Sequence, residues 1–110
     1  MAIIHVVMFA FKALATEAEV QDVCDRMLAL KNNCVHPDTK KTYIKSAVGG
    51  RENSKEGLQN GITYVFVSEF ENEEDRAYYI NKDPAHQEFV KSLASVVDKV
   101  QAVDFTPGVF

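Results

Sequence analysis

The residues Asp83-Pro84-Ala85-His86 combine a helix start with a titratable imidazole. Asp is a preferred N-cap residue, and Pro suits the first helical position because its missing N–H would have no partner there. An apolar stripe at helical spacing follows His86, formed by Phe89, Val90, Leu93, Val97 and Val100. A histidine on a core-facing stripe needs a hydrogen-bond partner, a cavity or a reaction. In its neutral form it would be a candidate general base.

His5 and Tyr64 are the side chains that could join His86. Each lies in an alternating segment, on the same face as its apolar neighbours, and Tyr64 shares its face with Phe66. If these faces meet the helices, His5, Tyr64 and His86 converge on one cavity. The alternative is that each histidine is a core residue satisfied by a hydrogen bond.

The protonation state of His86 stays open at this stage. The positive end of the helix dipole favours the neutral imidazole, whereas the carboxylate of Asp83 favours the cation. These two influences oppose each other.

Composition excludes several classes of protein. With 110 residues, 46% hydrophobic and 25% charged, the chain fits one globular domain over residues 1–110. A net charge of −4 argues against nucleic acid as a partner. No apolar run reaches the roughly 20 residues of a membrane span. The start of the chain lacks the basic lead-in and cleavage site of a signal peptide, so we expect a cytoplasmic protein.

Neither the cysteines nor the histidines indicate a metal or cofactor site. Cys24 lies on the apolar side of a predicted helix and Cys34 near its end, which suits structural burial in a reducing compartment. The three histidines are too scattered for a zinc set, and the acidic run from Glu69 to Asp75 is typical of a solvated helix start. We therefore expect no metal and no cofactor.

The hydrophobic pattern predicts four strands and three helices that would position these side chains. Strands are predicted at residues 3–12, 41–48 (ended by Gly49-Gly50), 62–70 and about 100–106. Helices are predicted from a capping box at Thr16 to about Asn32, from Glu73 to about Ile80, and from Asp83 to near Lys99. The β-α-β-β-α-β order predicts an α+β fold, a ferredoxin-like protomer with a four-stranded antiparallel sheet.

This order also predicts a partner. Helices on one side cover only one face of such a sheet, yet the first predicted strand is apolar on both faces. Val65 and Val67 add apolar side chains opposite Tyr64 and Phe66. We expect the second face to pack against another copy of the chain; the alternative is that these valines are tolerated on the surface.

The sequence resembles the stress-responsive dimeric α/β-barrel (Dabb) family from residue 3 to about 107. The likeness rests on His5, Gly49-Gly50 with Asn53-Ser54, the strand GITYVFVSEF, the Pro84-Ala85-His86 helix start and the ending Asp104-Phe105-Thr106-Pro107. It implies a homodimer whose two sheets pair face to face as a barrel. It also implies a role in stress responses, in most members without an assigned reaction.

A plant polyketide cyclase in this family implies roles for single residues. Its general base corresponds to His86, and its assisting tyrosine has no strict match, because Ile80 stands six residues before His86. Tyr79 takes that place only if one residue bulges into the turn. Further pocket positions correspond to His5, Tyr64, Cys24 and Met27; Phe66 and Val97 complete the expected ligand-binding set.

Three functions are therefore expected or left open. The first is a homodimeric stress-responsive barrel protein that binds a small aromatic or polyketide-like molecule near His86. The second is a polyketide cyclase or isomerase with His86 as base and Tyr79 or Tyr64 assisting. The third is a structural, self-assembling protein without a ligand.

Overall fold

A computed structural model describes residues 2–110 and shows an antiparallel sheet with helices packed on one face. The strands are β1 (Ile3–Phe11), β2 (Ile44–Arg51), β3 (Tyr64–Phe70) and β4 (Val97–Phe105). The helices are α1 (Glu17–Asn33), α2 (Glu73–Asn81) and α3 (Pro84–Ser92). The strand order β2-β3-β1-β4 places β1 in the centre and β4 at an edge. The α+β ferredoxin-like fold expected from the sequence is confirmed.

Each helix begins at a side chain that caps its first turn. Thr16 and Glu19 form the reciprocal hydrogen bonds of a capping box at α1. Asn72 accepts from the backbone N–H of Asp75 at α2, and Asp83 accepts from that of Ala85 at α3. The helix starts predicted from the sequence are thus present, and the cap at Asp83 fixes the position of His86 three residues later.

The predicted end of α3 near Lys99 is wrong. α3 ends at Ser92, and a turn closed by hydrogen bonds from Val96 and Val97 to the carbonyl of Leu93 leads directly into β4. Val97 and Val100 continue the three- and four-residue spacing of the helix, but their β-branched side chains belong to a strand that pairs with β1. As a strand, this segment pairs with the edge of β1, whose backbone groups a longer α3 would have left without partners.

Gly49 and Gly50 do not end β2, as the sequence predicted, but lie inside it. Gly49 pairs with Phe66 of β3, and a Cβ atom on Gly49 would lie 2.2 Å from the ring carbon Cδ1 of Phe66. The glycine is therefore required for the close approach of an aromatic ring rather than for a turn. β2 also begins later than predicted, at Ile44.

The two faces of the sheet have different surroundings. His5, Val7, Phe9, Phe66 and Phe70 point toward the helices and are buried in the core. The opposite face, here called the outer face, carries Glu69 and Gln101 but is otherwise largely apolar. Its apolar residues are Ile4, Val6, Met8, Val48, Val65, Val67, Val103 and Phe105. Val48, Val103 and Phe105 are about half exposed or more, at 64%, 49% and 52%. No helix packs against the outer face within the described residues.

No helix in residues 2–110 is long and apolar enough to cross a membrane.

Candidate functional site

A cavity of about 490 Å³ lies between α3 and the helix-facing side of β1 and β4. Its wall is almost entirely apolar; the polar or ionisable side chains in it are His5, Tyr79, His86 and Asp98. We call it the His86 cavity. Its remaining lining residues are Val7, Phe9, Met27, Ile80, Phe89, Val90, Leu93, Ala94, Val97, Val100 and Ala102.

The tautomer of His86 follows from one hydrogen bond. Its Nδ1 lies 2.8 Å from the backbone carbonyl oxygen of Tyr79, which can only accept, so Nδ1 carries the hydrogen. In the neutral ring Nε2 is then an acceptor. Nε2 of His86 makes no hydrogen bond within the described residues. If Nε2 were buried it would be a buried atom without a partner, and those residues contain no such side-chain atom. This nitrogen is therefore accessible, and His86 lines the cavity.

Burial lowers the pKa of His86 below its ordinary value of 6.5. Removal of water from the imidazolium is the largest cause, and the nearby His5 acts in the same direction. The hydrogen bond to Tyr79 and the charge of Asp83 oppose the shift without cancelling it. The lowered pKa favours the neutral ring near pH 7, and burial, which the sequence did not show, outweighs the charge of Asp83.

Tyr79 joins the two histidines. Its ring stacks on His86 with centroids 3.8 Å apart, and it meets His5 edge to face at 5.8 Å. Only 1% of Tyr79 is exposed, and burial raises the pKa of its phenol, which stays protonated at neutral pH. The turn between α2 and α3 thus brings Tyr79 against the imidazole, whereas Ile80 is 43% exposed at the cavity edge.

His5 is held by a carboxylate on the neighbouring strand. Its Nδ1 lies 2.6 Å from Oδ1 of Asp104, the residue directly opposite in the β1–β4 register. The second oxygen of Asp104, Oδ2, accepts a hydrogen bond of 3.3 Å from Nη1 of Arg76 on α2. His5 is only 7% exposed, so this Arg76–Asp104–His5 chain fixes a buried ring at the cavity wall.

A second buried polar cluster lies behind the start of α3. The hydroxyl of Tyr43 donates to Oδ2 of Asp83 at 2.5 Å, and Asp83 is 1% exposed. Cys34 is fully buried beside them, and burial together with the charge of Asp83 raises the pKa of its thiol to about 12. The thiol is therefore inert at neutral pH, and the cluster anchors the segment that carries His86.

The structure brings together five of the eight residues expected at the site. His5, Met27, Tyr79, His86 and Val97 line the cavity. Val97 does so from β4 rather than from the helix to which the sequence assigned it.

Tyr64, Cys24 and Phe66 are not among the residues that line the cavity. Tyr64 faces the helices, as its position in the alternation predicts, but its ring packs edge to face on Phe11, with centroids 5.3 Å apart. Phe66 packs on Phe9 in the core, and Cys24 is half-buried against that core. The expected meeting of Tyr64 with His5 and His86 is therefore not observed; the tyrosine ring in contact with both histidines is that of Tyr79.

Sequence reasoning did not identify Asp104 and Arg76 as partners of His5. Asp104 was visible only as part of the family-like ending of the chain. The signal that could have found it is the alternation of β4, where Val100, Ala102 and Asp104 share one face. Arg76 gave no signal, because its contact depends on the packing of α2 over the sheet.

In residues 2–110 no group of three or more His, Cys, Asp or Glu side chains is arranged to hold a metal ion.

The fold and this cavity define a class of protein, the ferredoxin-like α+β domains whose cavity lies between the helices and the sheet. Within that class, the sequence model of the stress-responsive A/B barrel domain family, Dabb, matches residues 3–107. The chain is 31% identical over 103 residues to the stress-response A/B barrel domain-containing protein HS1 of Arabidopsis thaliana, covering 94% of this chain and 87% of that protein. The chain therefore belongs to the Dabb family.

Solved structures agree with this assignment. A crystal structure of an Arabidopsis thaliana protein superposes with a TM-score of 0.83 at 30% identity, covering 98% of this chain and 97% of the other. A hydroxynitrile lyase from Passiflora edulis reaches the same TM-score of 0.83 at 17% identity, covering 99% and 96%. A protein of unknown function from Jannaschia, described as dimeric and ferredoxin-like, reaches 0.76 at 15% identity, covering 96% and 99%. The last two likenesses show the fold alone.

Proposed function

We propose that this protein binds a small, mostly apolar molecule in the His86 cavity. One observation carries the proposal: a neutral imidazole with an accessible Nε2 faces an otherwise apolar cavity. Such a nitrogen is an acceptor for a single polar group on the ligand. The apolar wall supplies the affinity and the imidazole fixes the orientation.

The size and polarity of the cavity support this proposal. Its volume of about 490 Å³ falls within the range of about 300–1,000 Å³ that is usual for ligand pockets. Burying apolar surface stabilises a complex by roughly 25 cal/mol per Å² before the costs of association are subtracted. A bicyclic aromatic molecule would fill part of the volume and place a substituent at His86.

Titration of ¹⁵N-labelled protein with neutral aromatic molecules, such as 2-naphthol, tests the proposal. We expect amide shifts centred on α3 and β4, the elements that line the cavity. The substitution Ala102→Phe would fill the cavity and abolish these shifts. Ala13→Phe, the same change at an exposed position before α1, is the matched control and should leave binding intact.

Two results would contradict binding in the cavity. One is a set of shifts that maps to the outer face of the sheet. The other is equal binding by Ala102→Phe and Ala13→Phe.

A second candidate function is catalysis with His86 as general base, as in a polyketide cyclase or isomerase. It is supported by the Nδ1–H tautomer, which leaves Nε2 ready to take a proton, and by the depressed pKa, which keeps the base neutral. Tyr79, whose ring stacks on that of His86, is the tyrosine that we propose as the assisting residue. The fold also occurs in a hydroxynitrile lyase, so it can carry an active site.

Incubation with β-polyketide thioesters distinguishes catalysis from binding alone. A cyclase would give product profiles that His86→Ala abolishes while a bound neutral aromatic still shifts the amides of α3. Identical profiles with wild-type protein, His86→Ala and buffer would contradict the catalytic function.

We also propose that the protein is a homodimer through the outer face. The outer face is apolar along paired positions such as Val6–Val67, Val6–Val103 and Ile4–Phe105. Exposed apolar side chains clustered on one face are typical of an association site. Solved neighbours of the same fold are described as dimeric.

A further inference from the structure

The His86 cavity contains two imidazole rings, and each is fixed by a hydrogen bond through Nδ1. His86 donates to the carbonyl of Tyr79 and His5 to the carboxylate of Asp104. Both rings pack on Tyr79, and His5 contributes to the electrostatic environment of His86. The two histidines are therefore neighbours on one wall of the cavity.

The geometry points to a specific role for Asp104 and Arg76: they hold His5 in the tautomer that presents an accepting Nε2 to the cavity. The two imidazole acceptors, Nε2 of His5 and Nε2 of His86, then select a neutral ligand with a hydroxyl donor. This inference rests on the proposed binding function and adds the chemistry of the ligand's polar group. Asp104 and Arg76 are positioning residues, since they act through His5.

The tautomer of His5 is determined by the carboxylate. Oδ1 of Asp104 can only accept, so Nδ1 of His5 carries the hydrogen. Nε2 of His5 has no hydrogen-bond partner within residues 2–110. Since every buried polar side-chain atom of that range has a partner, Nε2 is not buried and is accessible. His5 lines the cavity, which places this acceptor on the same wall as Nε2 of His86.

Two accepting nitrogens favour ligands that carry a hydroxyl group and disfavour ligands that have no hydrogen to donate. An alcohol or phenol can donate its hydroxyl hydrogen to either nitrogen. A carboxylate has no hydrogen to donate, and it would also meet the negative charges of Asp98 at the cavity and Asp104 behind His5. An ether lacks the donor altogether.

Arg76 makes this arrangement testable by a single substitution. It donates to Oδ2 of Asp104 and has no acceptor atoms. In Asp104→Asn, Arg76 would keep the one remaining oxygen, and the amide NH₂ would turn toward His5. Nδ1 of His5 must then accept, and its hydrogen moves to Nε2, which becomes a donor toward the cavity.

Long-range ¹H–¹⁵N correlation spectra of the imidazoles measure this directly, at a pH about two units above the ordinary histidine pKa. For wild-type protein we expect a hydrogen-bearing Nδ1 and an unprotonated Nε2 in His5. Asp104→Asn should reverse the pattern in His5 and leave His86 unchanged. Glu73→Gln is the matched control, because Glu73 contacts the same arginine at 3.9 Å without touching His5.

Binding of three matched probes completes the test: 2-naphthol, 2-methoxynaphthalene and 2-naphthoate. Wild-type protein should bind 2-naphthol about tenfold more tightly than the other two probes, because one hydrogen bond of usual strength changes the affinity by this factor. Asp104→Asn should bind 2-methoxynaphthalene more tightly than wild-type protein does, because the ether oxygen can accept from the new donor at Nε2 of His5.

Three results would overturn the inference: a hydrogen on Nε2 of His5 in wild-type protein, an unchanged His5 tautomer in Asp104→Asn, or 2-naphthoate binding as tightly as 2-naphthol. The wild-type spectrum and the wild-type probe series need no variant, so they decide the matter even if Asp104→Asn folds poorly. Failure of all three probes to bind would contradict the proposed binding function, while the imidazole spectra would still report on the role of Asp104.

Discussion

At the residue scale, the protonation state of His86 decides what the cavity can bind. The ring is partly buried, its Nδ1 is committed to the carbonyl of Tyr79, and its pKa is lowered chiefly by the loss of water. An imidazole that stays neutral keeps Nε2 as an acceptor at physiological pH.

We predict that His86 titrates below 6.5, its ordinary value, when its Cε1 proton is followed by NMR. Because the unfolded chain binds this proton at higher pH than the folded protein does, acid favours unfolding. The contribution of His86 to stability is therefore complete above about pH 6.5 and falls as the pH drops toward the folded-state pKa.

His86→Gln removes this titration. The free energy of unfolding of the variant should depend less on pH below about 6.5 than that of the wild type, at one protein concentration. An NMR midpoint at or above 6.5 would show that the ring is not desolvated as the structure indicates.

At the element scale, the start of α3 is fixed by Asp83 in two ways. The carboxylate caps the helix through Ala85 N–H and accepts from the buried hydroxyl of Tyr43. Asp83→Ala would remove the cap, worth about 1 kcal/mol, and leave the Tyr43 hydroxyl without a partner at about 1–3 kcal/mol. We predict a loss of about 2–4 kcal/mol in the free energy of unfolding, measured by urea denaturation.

Asn72→Ala is the control for that prediction, since Asn72 is an exposed N-cap of α2 without a buried partner among the described residues. It should cost about 1 kcal/mol. Equal losses in the two variants would mean that the Tyr43–Asp83 bond does not contribute.

The glycines of β2 make a separate prediction. A methyl group at Gly49 would collide with the ring of Phe66, whereas at Gly50 it would meet no atom within 4 Å. Gly49→Ala should therefore destabilise the protein by about 1–3 kcal/mol, and Gly50→Ala should be nearly neutral. Thermal unfolding of the two variants compares them directly; similar midpoints would be inconsistent with the packing of Phe66.

The sequence predicted local features of these elements better than long-range ones. The caps at Thr16 and Asp83 depend on a few neighbouring residues, and both were predicted from the sequence. The boundary between α3 and β4 was missed because Val97 and Val100 fit helical spacing as well as strand pairing.

The candidate site shows the same difference between local features, which the sequence predicted, and long-range contacts, which it did not. His5 and His86 were recognised because alternation and helical spacing place them toward the core. Asp104 and Arg76 were not, since their contacts join residues 99 and 28 positions apart in the sequence. Cross-strand register and the packing of α2 set these contacts, and neither is written in a local pattern.

At the scale of the whole molecule, the outer face of the sheet is the surface through which we propose that two copies of the chain pair. Val6 lies at its centre, paired with Val67 on one side and Val103 on the other. Val6→Glu would place a charge in an apolar interface, where desolvation is costly. We predict that the dissociation constant of the Val6→Glu dimer, measured by analytical ultracentrifugation, is roughly 100-fold or more above that of the wild-type dimer.

Leu14→Glu is the control, because Leu14 is 93% exposed in the connection between β1 and α1. It should leave the dissociation constant unchanged. Wild-type protein that stays folded and monomeric at micromolar concentration would contradict the dimer.

The central claim is that the His86 cavity is a ligand site, and a crystal structure of the protein with 2-naphthol tests it most directly. The account predicts the aromatic rings between α3 and β4, with the hydroxyl within about 3.2 Å of Nε2 of His86 or His5. A cavity closed by side chains, or a ligand seated on another surface at saturating concentration, would contradict it and favour a structural protein without a ligand.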